Sequence, residues 1–145
     1  MKKLLIIVIC MIAMVMLTSC NGTVESWNGL HMQVTPGSVT PTGLRLTMVN
    51  DNAEMNFGYG SMFRIEHQVA GIWREVPRIN DVFWTLVLYN LNPNSAFDDV
   101  ISWEHIYGEL QPGRYRIVRN FKENDGRQPL RYSPSAYLFA IFNIE

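Results

Sequence analysis

Apolar residues recur at every second position in short runs, and this alternation constrains the fold of the chain more than any other feature. Leu30, Met32 and Val34 alternate with His31 and Gln33, and Pro36-Gly37 ends that run. Leu44, Leu46 and Met48 alternate with Arg45, Thr47 and Val49, and Asn50-Asp51-Asn52 follows. Phe63, Ile65, His67 and Val69 alternate with Arg64, Glu66 and Gln68. Successive side chains of a strand point to opposite faces, so each run is a strand with one dry and one wet face. Ala70-Gly71 turns the third run into Ile72-Trp73-Arg74-Glu75-Val76, a hairpin partner closed by Pro77. Residues 82–89 are more continuously apolar, as in a strand buried on both faces or lying at a sheet crossing. Residues 97–103 form a shorter strand, residues 114–121 alternate again, and residues 137–144 are the last strand. A helical period is absent from this part of the chain, apart from one turn at Glu104-His105-Ile106-Tyr107. About seven to eight short strands with turns between them predict an all-β fold, a two-sheet antiparallel sandwich.

The N-terminus is different. Lys2 and Lys3 precede an unbroken apolar run over residues 4–16, and small residues then lead into Cys20. The run is too short to span a bilayer as a helix, which needs about 20 apolar residues. A charged start, a short apolar stretch and a small-residue end make an export signal. The ending Leu17-Thr18-Ser19-Cys20 resembles the lipobox of bacterial lipoproteins. That resemblance implies a signal peptide over residues 1–19, cut before Cys20, and a diacylglycerol on the Cys20 thiol. Cys20 is then the lipid attachment site, and residues 20–29 form a lipidated tether ahead of a domain over residues 30–145. One acyl chain binds a membrane only reversibly, whereas two or three hold a small domain there for long times. The expected location is the extracytoplasmic side of a cell membrane.

Cysteine usage agrees with this division. Cys10 lies within the signal and Cys20 takes the lipid, so the domain holds no thiol and no disulfide. Packing alone must stabilise it. Trp27, Trp73, Trp84 and Trp103, with six Tyr and seven Phe, supply the bulk. The chain carries 12 Lys and Arg against 13 Asp and Glu, and loss of Lys2 and Lys3 makes it more acidic. Such a balance gives no electrostatic footprint for nucleic acid or for anionic lipid head groups.

The most specific local signature is Leu110-Gln111-Pro112-Gly113-Arg114-Tyr115. Pro112-Gly113 is a tight turn, and Tyr115 sits just inside the strand that follows. A sandwich uses a tyrosine there as a tyrosine corner, its hydroxyl bonding backbone a few residues upstream. Leu110 packs beneath the same corner. Together with Thr42-Gly43-Leu44, Asn50, Gly58-Tyr59-Gly60, Gly71-Ile72-Trp73, Val76-Pro77, Trp103 and Tyr107-Gly108, this block resembles a bacterial immunoglobulin-like domain family. The resemblance covers roughly residues 42–144. It implies the immunoglobulin-like sandwich, and it brings no enzyme activity, cofactor or ligand residues.

Candidate chemistry is sparse. His31, His67 and His105 fall on separate elements without metal-ligand spacing, and His67 reads as a core-edge residue. Asp98-Asp99 and Glu104 read as a solvated turn rather than paired catalytic acids. Asn50-Asp51-Asn52-Ala53-Glu54 lacks the glycine and distal glutamate of a calcium loop and reads as an Asn-stabilised turn. No Gly-x-Ser-x-Gly elbow and no phosphate loop occur. These absences predict a non-catalytic binding or structural domain with no cofactor and no metal. The partners expected are the membrane, through the lipid, and an envelope protein or a glycan. An accessory or sensory subunit for a membrane partner is one alternative. A carbohydrate-binding module using Trp73 or Trp84 is another. Residues 122–134 form the longest connection, which immunoglobulin topology places beside residues 51–57 at one tip. Because the first strand begins at that end, the tip would face the membrane.

Overall fold

The computed structural model describes residues 23–126, 129 and 133–145. The expected signal peptide and Cys20 fall within residues 1–22, which lie outside the described residues, as do Arg127, Gln128, Leu130, Arg131 and Tyr132 of the long connection.

Two antiparallel sheets face each other. The first holds β1 (Ser26–Trp27), β2 (Leu30–Val34), β3 (Gly43–Asn50) and β8 (Ser95–Ser102), in that order. The second is built around β9 (Gly113–Glu123), whose alternating Tyr115, Ile117, Arg119 and Phe121 turn inward. One side of β9 pairs along ten positions with β10 (Ser135–Ile144). The other side is shared by β5 (Arg64–Val69) and β4 (Phe57–Tyr59), two strands on one line interrupted at residues 60–63. β6 (Ile72–Glu75) extends β5, and β7 (Tyr89–Leu91) extends β4. One helical turn, α1 (Glu104–Tyr107), joins the two sheets after β8. No helix among the described residues is long and apolar enough to cross a membrane.

The alternation read from the sequence is the core. Leu44, Leu46 and Met48 of β3 meet Ile117 and Phe121 of β9 and Leu138, Ala140 and Phe142 of β10 in one buried cluster. Trp103 is fully buried, stacks on Phe142 at 5.4 Å and donates its ring N–H to the Pro41 carbonyl at 2.9 Å. Ala70 and Gly71, both at positive φ, make the tight β5–β6 hairpin. Asn50 is also fully buried. Its amide nitrogen reaches the carbonyls of Met55 (2.8 Å), Leu91 (3.2 Å) and Asn92 (2.9 Å), and its Oδ1 accepts from the Asn52 N–H. An unpaired buried amide is costly, and here the side chain is saturated by the turns it ties together.

Four expectations change. Residues 24–29 are not a free tether: Val24 bridges Leu138, Ser26–Trp27 pairs with β2, and Trp27 packs on Phe57 at 5.4 Å. An aromatic with a core neighbour is worth more buried than loose. Ten strands are described rather than seven to eight, because one line is split into β4 and β5 and short β1 and β7 are added. Asp98 and Asp99 sit in the middle of β8 rather than in a turn. Residues 82–88 form no strand at all.

Candidate functional site: the open side of the sandwich

Residues 76–88 join β6 to β7 along one side of the molecule. They are held at several points. The Ile79 N–H donates to the Ile106 carbonyl at 2.8 Å, and the Asn80 amide donates to the His105 carbonyl at 2.7 Å. Trp84 meets Phe63 edge-on at 5.3 Å, Thr85 Oγ1 donates to Ser61 Oγ at 3.0 Å, and Tyr89 stacks on Tyr59 at 5.4 Å. Every one of these anchors, α1 aside, belongs to the six-stranded sheet or the β4–β5 connection. Between them the chain carries apolar groups into solvent: Phe83 is 97% exposed and Leu86 is fully exposed. Scattered apolar residues on a surface need no explanation, but a contiguous set marks an interaction site.

The neighbouring element is equally unfinished. β8 pairs with β3 through all eight residues, and among the described residues no strand lies on its other edge. In an immunoglobulin sandwich a strand between the second sheet and β8 would occupy that edge. Here the stretch that could do so is drawn into the other sheet, since Tyr89–Leu91 pairs with β4. Phe97 and Val100 of β8 are left largely exposed.

A cleft of about 370 Å³ separates the segment from β8, lined by Tyr59, Phe63, Trp84, Tyr89, Phe97 and Arg119 among others. Arg119 is the inward-facing cation of β9 and is 3% exposed. Its Nη1 donates to Asp99 Oδ2 at 2.9 Å and lies 3.5 Å from Met48 Sδ, and its guanidinium lies 5.7 Å from the Tyr59 ring centre. Its Nε–H has no partner among the described residues. A buried cation needs a counter-charge, and Asp99 supplies it from the facing sheet. Burial pushes the Tyr59 hydroxyl above its ordinary range, while nearby Arg119 acts the other way. The pair therefore bridges the two sheets at the mouth of the open side. Sequence reading assigned Asp98 and Asp99 to solvent. Arg119, on an apolar alternation, was the available signal that an acid must face it.

The other candidate residues are placed elsewhere. Tyr115 is buried and donates its hydroxyl to the Gln111 carbonyl at 2.8 Å, the contact a tyrosine corner makes, and Leu110 is buried beneath it. Pro112 precedes Gly113, where a Cβ would come within 2.7 Å of His67 Nε2, so only glycine fits without displacing that ring. His67 stacks on Tyr115 at 4.5 Å, His31 lies 3.8 Å from Asp51, and His105 is exposed. Among the described residues no group of His, Cys, Asp or Glu could hold a metal ion. Trp73 lies on the outer face of the six-stranded sheet under Arg116, 4.7 Å from the ring centre, and Arg116 also covers Phe139 at 4.9 Å. Glu66 is clamped between Arg64 and Arg116. Trp73 and Trp84 are thus already engaged by their own chain. At the tip, Asn124 donates to the Asn56 carbonyl at 2.8 Å, bringing the two expected loops together.

Two antiparallel sheets packed face to face, with the buried Trp103 and the Tyr115 contact, define an immunoglobulin-like sandwich. The bacterial Ig-like domain family matches residues 26–131, and the chain belongs to that family. No curated protein matches the chain.

Proposed function

We propose that this is a lipid-anchored protein of the bacterial cell envelope whose immunoglobulin-like domain acts by binding a protein partner through its open side. The family supports a structural or binding domain rather than a catalytic one. The Lys2-Lys3 start, the apolar run and Leu17-Thr18-Ser19-Cys20 support export and a lipid on Cys20. The observation that carries the binding reading is the run of exposed apolar side chains Phe83, Leu86 and Val87 on a segment whose Trp84 and Tyr89 share a cleft with Phe97 and Val100 of the unpaired β8 edge. An apolar surface of this kind suits a protein partner better than a glycan, which needs bare aromatic platforms and polar groups. The anchor is tested by fractionating cells that make the wild type or Cys20→Ala and labelling them with a fatty acid. The wild type should carry label and sediment with membranes, and Cys20→Ala should lose both. Label retained on Cys20→Ala would refute the anchor.

A further inference from the structure

The open side presents two strand-length elements that lack a strand partner, and each suits the other. β8 offers an edge of eight residues. Alternate N–H and C=O groups of an edge strand point away from its sheet, ready to pair, and natural edges are blunted by charged side chains, proline or bulges. β8 has no lysine or proline, and its two charges, Asp98 and Asp99, are engaged within the chain by Thr47 and Arg119. Residues 82–89, Val-Phe-Trp-Thr-Leu-Val-Leu-Tyr, contain no charge, proline or glycine. They are mostly β-branched and aromatic, the composition that fits a half-buried pleated surface. Resting on the reading that this side is the binding side, we infer that its occupant is a second copy of this chain. The segment over residues 82–88 of each copy lies along the free edge of β8 of the other.

Three arguments select this occupant. The segment is held away from its own β8. Trp84 is fixed on Phe63, Thr85 on Ser61 and Tyr89 on Tyr59, all on the six-stranded side. Pairing of β8 with β8 is disfavoured, because registers centred on this strand set Asp98 and Asp99 against acids of the other copy. Like charges directly opposite destabilise a sheet. Residues 82–89 hold no acid, and Asp98 and Asp99 are already satisfied within the chain by Thr47 (2.7 Å) and Arg119 (2.9 Å). Finally, both complementary elements lie on one chain, so a two-fold pair fills both edges at once, with no unpaired strand left over. Confinement of both copies to one membrane raises their effective concentration.

The test uses the full-length chain in the membranes of cells that make it. Its only thiols are Cys10 and Cys20, so added thiols can be followed against the unmodified protein. Leu86→Cys with one tag is co-expressed with Val100→Cys with another, and a short bis-maleimide is added. A crosslinked product carrying both tags is expected. Adding Phe83→Asp to both chains should lower it by at least about tenfold, equivalent to roughly 1.4 kcal/mol of association. Phe83 is almost wholly exposed, so this change leaves folding intact. Ile141→Asp, on the outer face of the six-stranded sheet, should leave the product unchanged. Absence of the mixed product overturns the inference. An internal crosslink in a chain carrying both thiols, with no mixed product, overturns it in favour of closure on its own β8. If a different protein is crosslinked and Phe83→Asp releases it, the occupant is wrong and the binding side stands. If Phe83→Asp alters no adduct, both fall.

Discussion

Residues 137–144 and residues 82–89 are two apolar, uncharged stretches of equal length, and they have opposite fates. The first is the body of β10. It pairs with β9 throughout, burying Leu138, Ala140, Phe142 and Ile144. The second pairs with nothing until Tyr89 and leaves Phe83 and Leu86 in solvent. Composition does not separate them. What separates them is alternation and a neighbour. β10 places every second side chain inward and follows β9 in an antiparallel pair. The segment is caught between two strands that have both joined the other sheet, β6 through β5 and β7 through β4. A strand is stabilised by its cross-strand partners and by the face it buries, not by its own residues alone.

The largest expected difference comes from truncating one phenylalanine in each stretch. Phe142→Ala removes a ring packed against Trp103 and Tyr115 and should cost about 3–5 kcal/mol. Phe83→Ala should stay within about 0.5 kcal/mol, as an exposed change does. Urea midpoints of the two variants at constant slope decide this. Equal costs would mean that the segment is packed as firmly as β10.

Next in size is the ion pair beneath the segment. Asp99→Ala strands the buried Arg119 cation and should cost about 3 kcal/mol, the low end for a broken buried pair because Asp99 is partly exposed. Arg119→Met removes the charge and fills much of its space, so it should cost less. The opposite ranking would show that Asp99 is solvated and that the cleft mouth is wet.

The corner contributes less. Tyr115→Phe deletes one hydrogen bond to Gln111 and should cost about 0.5–1.5 kcal/mol. Tyr137→Phe, an exposed position on β10, should stay within about 0.5 kcal/mol. Identical small effects would remove the corner from the account.

The smallest effect is on pH dependence. Burial raises the Tyr115 hydroxyl above its ordinary value of 10.0, so the fold favours the neutral phenol. That contribution is fully present below pH 10 and is lost as pH rises through the raised value. Stability of the wild type should fall more steeply above pH 10 than that of Tyr115→Phe. Parallel curves in denaturation at pH 9–11 would contradict it.

Much of the fold was legible because period two reports burial directly. Leu44, Leu46 and Met48, and Tyr115, Ile117 and Phe121, are buried where the alternation places them. The corner was legible because the Leu-x-Pro-Gly-x-Tyr spacing sets a tyrosine hydroxyl within reach of the Gln111 carbonyl, with a glycine where the His67 ring leaves no room for a side chain. Residues 82–89 misled because a continuous apolar run says that a segment needs cover without saying who provides it. Residues 24–29 misled in the other direction. Their polar composition hid Trp27, whose packing on Phe57 draws the stretch into the sheet. The Arg119–Asp99 pair lies across two sheets, a juxtaposition that no local pattern encodes.

The central claim is that residues 82–88, which pair with no strand of their own chain, pair with β8 of another copy. Amide hydrogen exchange of the full-length protein, followed over a range of protein concentration, tests it most directly. The account predicts that the β10 amides bonded to β9 are protected at every concentration. The amides of residues 82–88 and the outward amides of β8 should exchange fast when dilute and become protected together as concentration rises. Protection of residues 82–88 at dilutions where the chain is a single copy would contradict it, because the segment would then be paired within its own chain.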